Sequence, residues 1–336
     1  MVRSHRVTLK LVAWRERIGA FLSPSESDSW LTYLRIGLGV AVVFYSLSLR
    51  DDWNYFFGGS SQALVGRELA EKILSLDSSI IPRIGWLVAV GTHLGSNENM
   101  VLSIVWTCLL CAGCGLLLGV LPRFWAAIAW LIHLSAAKSG EFLSYGLDNF
   151  MTIGLFYLIL APLPDRYCLD RQWRRLWSNF GRLTPAVATE RARSLGFWRR
   201  ALQFHLCLIY FFSGLTKCLG SGWWDGSNLW RALIRPPFNT LPPEMLMHWK
   251  YAFPVAGLAI ALIELSYPCF IWRRQTRIMW LAAICAMHGI IGLAMGMYLF
   301  ALVMVVLNLA AFAPAVCFSK IFTRAGRIDA CEAATG

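Results

Sequence analysis

The stretch ALQFHLCLIYFFSGLTKCLGSGWWDGSNLW (Ala201–Trp230) decides how the chain is read. Residues 201–217 form an apolar run that ends on Lys217, and a Gly-rich turn with Trp223 and Trp224 follows at once. Such a run suits hydrocarbon better than water, and an amine at its end needs a partner, a cavity or a route to the interface.

The rest of the chain agrees with that reading. Of 336 residues 57% are hydrophobic and only 15% charged, and the mean hydropathy is +0.54. A soluble domain is normally about half apolar and a quarter charged, so the expected fold class is an all-α integral membrane protein. The formal net charge is +12, but the basic residues lie between apolar segments rather than on a soluble domain with base-stacking motifs. No nucleic-acid partner is predicted.

Apolar runs long enough, or nearly so, to cross about 30 Å of hydrocarbon occur at 31–49, 100–121, 124–137, 142–163, 201–217, 252–272, 277–295 and 298–316. That predicts about eight transmembrane helices. Loop charge supplies an independent check, because cytoplasmic loops retain Lys and Arg. The 164–200 loop holds nine arginines against Asp165, Asp170 and Glu190, whereas segment 50–99 has more acids than bases. Both termini are therefore expected in the cytoplasm, and the protein in the plasma (inner) membrane. Residues 1–29 read as a cytoplasmic leader without a signal-peptide cleavage site, 30–317 as one membrane domain, and 318–336 as a cytoplasmic tail.

The outer loops carry structure of their own. Segment 62–76 has amphipathic helical spacing, and IIPRIGWLVAVGTHLG after it is too short and Pro-interrupted to span, which predicts interfacial or re-entrant helices. Segment 219–250, with four tryptophans, reads as a structured cap at the outer interface.

Ionisable groups inside the runs are the candidate site residues. Arg35 either snorkels from the first span or pairs with an acid. His133, Asp148 and Lys217 fall in the outer half and are expected to line one outward-opening cavity. His288 falls near mid-depth, and Glu264 nearer the cytoplasmic side. For His133 and His205 a hydrogen-bonded core role outweighs a functional one, while Asp148 is balanced between a buried ion pair and catalysis. Cys108, Cys111 and Cys114 recur every three residues, which fits small side chains at a helix contact better than a thiolate site. No metal is predicted, and no P-loop, GxGxxG, HExxH or GxSxG element is present.

The stretch HLCLIYFFSGLTKCLGSGWWDGSNLW resembles the HTTM (horizontally transferred transmembrane) domain, the membrane region shared with vitamin K-dependent gamma-carboxylase. LTYLRIGLGV, YGLDNFMTIGLFYLILAPLPDRYCLD, ALIELSYPCFIW and MHGIIGLAMGMYLFALVMVV agree in order, so the resemblance runs from Leu31 to Val316. It implies a reduced quinone of the vitamin K or menaquinol type as cofactor, with O2 and CO2 consumed. It implies Lys217 as the base, with Tyr210, Phe211 and Gly214 upstream, and matches His288 less closely. Asp148 joins them as a candidate catalytic residue, and Glu264, His133, Trp223 and Trp224 as candidate quinol-binding residues.

The physical counterpart is plain. A lysine is a base only when neutral, and desolvation favours that form. Position alone favours an interfacial anchor for Lys217; the resemblance favours the base. Expected partners are membrane lipid, a lipid-soluble quinol and a protein or peptide acceptor, although the peptide-holding domain of the carboxylase lies outside the resemblance. The competing expectation is a non-enzymatic membrane carrier, scaffold or lipid-binding protein.

Overall fold

A computed structural model describes residues 14–59, 66–77, 80–141, 144–162, 168–169 and 185–314. Most of the expected leader, the tail beyond 314 and much of the 164–200 loop lie outside these residues. The described residues form helices and contain no strand.

Each of the eight apolar runs contains a helix among the described residues. These are α1 (Ser29–Ser48), α5 (Glu98–Leu118), α6 (Pro122–Ser139), α7 (Gly146–Leu160), α8 (Pro185–Leu219), α12 (Ala252–Phe270), α13 (Arg277–Met295) and α14 (Tyr298–Phe312). Among the described residues five of them, α1, α5, α8, α12 and α13, are long and apolar enough to cross a membrane. Their outward faces are apolar as well: Phe212, Val255, Ile290 and Leu293 are each more than half exposed. A helix that is apolar all round belongs in lipid or a large core.

The helices α7 and α14 have 15 residues each, about 22 Å of rise and short of the hydrocarbon thickness. Both stop for the same reason. Ala161 and Ala313 leave the helix in extended conformation, each before a proline (Pro162, Pro314) whose ring disfavours helical backbone in the residue ahead of it.

Between the long helices run shorter ones: α2 (Trp53–Phe57), α3 (Arg67–Asp77), α4 (Ile84–His93), α9 (Ser221–Trp224), α10 (Ser227–Ile234) and α11 (Pro243–His248). The helix α3 buries Ala70 and Leu74 and leaves Leu69, Ile73 and Leu76 open, while α4 buries Ile84 and Val88. The non-spanning helices expected in that loop are thus present. Leu233 and Leu246, of α10 and α11, form a small core of their own with Phe253.

One large core gathers α1, α5, α6, α7, α8, α12, α13 and α14. Buried cations close two helix ends within it. Arg35 is fully buried rather than snorkelling; its guanidinium donates to the carbonyls of Leu116 and, at 3.1 Å, Leu117 at the C-terminal end of α5. Arg199 does the same for α14, donating to Ala310 (3.3 Å), Ala311 (3.1 Å) and Ala313 (2.6 Å) while pairing with Glu26 at 2.9 Å. Both place positive charge at the negative end of a helix dipole, where the last carbonyls lack partners.

The cysteine stripe departs from expectation. Cys108, Cys111 and Cys114 are exposed free thiols on the outside of α5 rather than buried between helices; their three-residue recurrence marks a helix face, but not which way it points.

Candidate functional site

The helix α8 runs unbroken for 35 residues and ends just after Lys217. Its close partner is α12. A Cβ placed on Gly214 would lie 2.3 Å from the Leu265 nitrogen, so only glycine lets the two backbones meet there. That contact brings Lys217 opposite Glu264. The amine donates to Glu264 Oε2 at 2.6 Å and to Ser213 Oγ at 2.6 Å, and the Trp223 ring centroid lies 5.1 Å from Nζ. The two side chains retain 17% and 7% of their exposure.

This geometry corrects two expectations. Lys217 and Glu264 share one level, rather than lying on opposite sides of mid-depth. Glu264 is twelve residues into α12 from Ala252, about 18 Å from that end, so the amine lies well inside the bundle and not at its lip. The sequence reading took the end of the apolar run as the edge of the membrane. The chain instead breaks at Gly220 and continues along α12 as irregular backbone and the four-residue α9.

Two contacts fix that path. A Cβ on Gly257 would lie 2.4 Å from the Trp223 carbonyl oxygen, and one on Gly226, whose φ is +78°, 2.6 Å from the Phe253 carbonyl carbon. The start of the Trp-rich segment therefore packs beside α12 instead of lying over the outer surface. Broken helices at such depth occur where protein covers the freed backbone groups. Trp224 supplies part of that cover, its indole donating to the Cys218 carbonyl at 2.8 Å. It does so as a helix-end cap, whereas Trp223 faces the amine.

Beside the ion pair lies a buried polar chain that crosses four helices. Tyr267 donates to Asn308 Oδ1 at 2.8 Å. The Asn308 amide donates to the Met304 carbonyl and to Tyr210 Oη, both at 2.8 Å, and Tyr210 Oη meets His288 Nε2 at 2.8 Å. All four side chains are buried. The expectation singled out His288; Asn308, the lone amide in an otherwise apolar helix, was as visible and was missed.

Asp148 and His133 form a second cluster, away from Lys217. Asp148 Oδ2 accepts the Tyr145 backbone N–H at 3.0 Å, the acidic half of a capping box at the start of α7. His133 Nε2 lies 3.2 Å from the Asp148 carbonyl and 3.9 Å from its Oδ1, and Tyr45 packs edge-on against the imidazole at 4.9 Å. Among the described residues no hydrogen bond or ion pair joins this cluster to Lys217, and α14 packs against both α7, which carries Asp148, and α8, which carries Lys217. The single shared cavity is replaced by two sites. His205 meets Tyr157 Oη at 3.4 Å in a half-buried contact, in keeping with a core histidine.

Chemically, the Lys217 cluster offers a carboxylate held by an ammonium, two phenols and an imidazole within a mostly apolar surround. Such a set can accept, hold and pass protons. No family model, curated protein or solved structure matches the chain.

Proposed function

We propose that this chain is an eight-span membrane enzyme of the HTTM type, with both termini in the cytoplasm of a plasma (inner) membrane, that removes a proton from a lipid-soluble quinol at the Lys217–Glu264 pair. The observation that carries the reading is the pair itself: a 2.6 Å ion pair between two apolar helices, beside a break in one of them. Ionisable groups at that depth are costly to keep and commonly belong to substrate or proton pathways.

The pair refines the role of the lysine. The amine donates to Glu264 and Ser213, so a proton leaving the substrate goes to the pair as a unit rather than to a solitary amine. In the ammonium–carboxylate form the carboxylate receives it. The ammonium then stays beside the substrate oxygen and steadies the negative charge left there. Trp223 keeps water from the amine on one side. With O2 as oxidant the deprotonated quinol would go on to the quinone epoxide, and with CO2 as well a protein glutamate would be gamma-carboxylated, both from the same first deprotonation.

The test is quinone epoxide formation from added quinols in membranes containing the protein. Wild type is expected to be active and Lys217→Ala inactive; full activity in Lys217→Ala ends the role of the pair. Absence of activity in the wild type with several quinols favours the second reading, a carrier, scaffold or lipid-binding protein. One observation supports that reading: Ser213 and Trp223 complete the pair, as they would in a purely structural lock between α8 and α12.

A further inference from the structure

The hydrogen-bond chain ending at His288 has one arrangement in which every hydroxyl and amide proton is used. The Tyr267 hydroxyl donates to Asn308 Oδ1. The two amide protons of Asn308 are committed, one to the Met304 carbonyl and one to Tyr210 Oη. That amide orientation is forced, because a carbonyl such as Met304 O can only accept. Tyr210 Oη therefore receives a proton from Asn308 and has one of its own to give. Its remaining partner is His288 Nε2, at 2.8 Å. Of that pair the phenol is the stronger donor and the imidazole nitrogen the stronger acceptor, which makes Nε2 the bare nitrogen and puts the imidazole proton on Nδ1.

His288 Nδ1 has no hydrogen-bond partner among the described residues, in a side chain 4% exposed. A buried N–H without an acceptor loses its hydration with nothing in exchange, and native structures keep few of them. The ring packs edge-on against Phe300 at 5.5 Å, and its partner Tyr210 lies two turns before Lys217 on the same face of α8, so the free donor belongs to the same region as the ion pair.

The other buried histidine gives the contrast. His133 Nε2 faces a backbone carbonyl, which can only accept, so there the proton is on Nε2 and the unpartnered Nδ1 is a lone pair. One molecule thus holds two buried imidazoles in opposite tautomers, and of the two it is His288 that presents an unused N–H.

We infer that Tyr267, Asn308 and Tyr210 lock His288 in the Nδ1–H tautomer, so that it donates a hydrogen bond to a ligand oxygen, that of a quinone carbonyl. The ligand class rests on the quinol reading above. His288 is then a donor that orients and polarises the oxygen, not a base, since its bare nitrogen is occupied by Tyr210. Tyr210 and Asn308 are positioning residues that act through it.

The experiment is nitrogen NMR of the full chain in nanodiscs with 15N-labelled histidine, with and without menadione, a short 1,4-naphthoquinone. His288→Gln and His133→Gln assign the two resonances by their loss. The expected spectrum has His288 protonated on Nδ1 and bare on Nε2, with His133 the reverse. Tyr210→Phe and Asn308→Leu should each release His288 into a mixture of tautomers, a change that a merely packed ring would not show. Menadione should move the His288 Nδ1 resonance and leave that of His133 in place. A proton on Nε2 of His288, a tautomer indifferent to Tyr210→Phe, or a Nδ1 resonance indifferent to menadione each overturns the proposal. If the tautomer and the menadione shift hold while no quinol is turned over, the enzymatic reading fails and the donor assignment stands.

Discussion

Removing the two members of the Lys217–Glu264 pair one at a time should give unequal losses, and the structure sets the order. In Lys217→Met the Glu264 carboxylate, 7% exposed, loses its cation in an apolar bundle. Breaking a buried pair in this way costs about 3 kcal/mol or more. In Glu264→Leu the ammonium keeps Ser213 Oγ at 2.6 Å, the Trp223 ring at 5.1 Å and its 17% exposure. A retained hydrogen bond contributes about 1 kcal/mol and a cation over an indole about 0.5–1 kcal/mol, so the loss should fall to about 1.5 kcal/mol. The double variant Lys217→Met/Glu264→Leu removes both charges and leaves apolar side chains of similar volume, a change that is often near neutral. It should cost about 1.5 kcal/mol or less, well below Lys217→Met alone, which is a coupling of about 3 kcal/mol or more between the two sites. The assay is unfolding by sodium dodecyl sulfate in mixed micelles, followed by tryptophan fluorescence. Single losses that simply add in the double variant, or a Glu264→Leu loss as large as that of Lys217→Met, would refute the reasoning.

Three other outcomes are expected from the same assay or a labelling variant of it. Arg35→Ala should lose about 2–4 kcal/mol, because it opens a cavity and strips the donors from the Leu116 and Leu117 carbonyls; a loss below about 0.5 kcal/mol, usual for surface sites, would contradict that role. Asp148→Ala should cost about 1 kcal/mol and Asp148→Asn only a few tenths, since an amide oxygen still accepts from Tyr145; equal losses would remove the cap assignment. Glu190→Cys, on an exposed turn of α8, should react with an impermeant thiol reagent from the cytoplasmic side alone, and reaction from outside would invert the topology.

Much of the fold was legible because lipid imposes a simple rule on sequence. Each apolar run became a helix, and Pro162 and Pro314 set where two of them stop. Depth was harder. Residues 185–200 are polar enough to read as a loop, yet they extend α8, so the apolar run did not mark the limits of its helix, and Lys217 was placed too far out. The pairing of Lys217 with Glu264 needed Gly214 to be seen as a helix contact. That information lies in the partner helix, not in the local pattern. Asn308 and Tyr267 were visible as polar groups in apolar surroundings, but only the packing of four helices shows that they bond to one another. Asp148 was noticed for its charge, and its capping role lay in its distance from Tyr145.

The uninterrupted α8 has a mechanical consequence. Arg199 fastens this helix to the end of α14 and, through Glu26, to the segment preceding α1. Lys217 is eighteen residues farther along the same rod, about 27 Å away. A helix bends little over that distance, so a small pivot at the arginine collar would reappear at the far tip as a sideways displacement of the amine relative to Glu264. Immediately beyond that tip the helix ends at Gly220 and the chain turns onto α12. Anchor, shaft and joint thus make the distance between two charges answerable to events on the other face of the bundle.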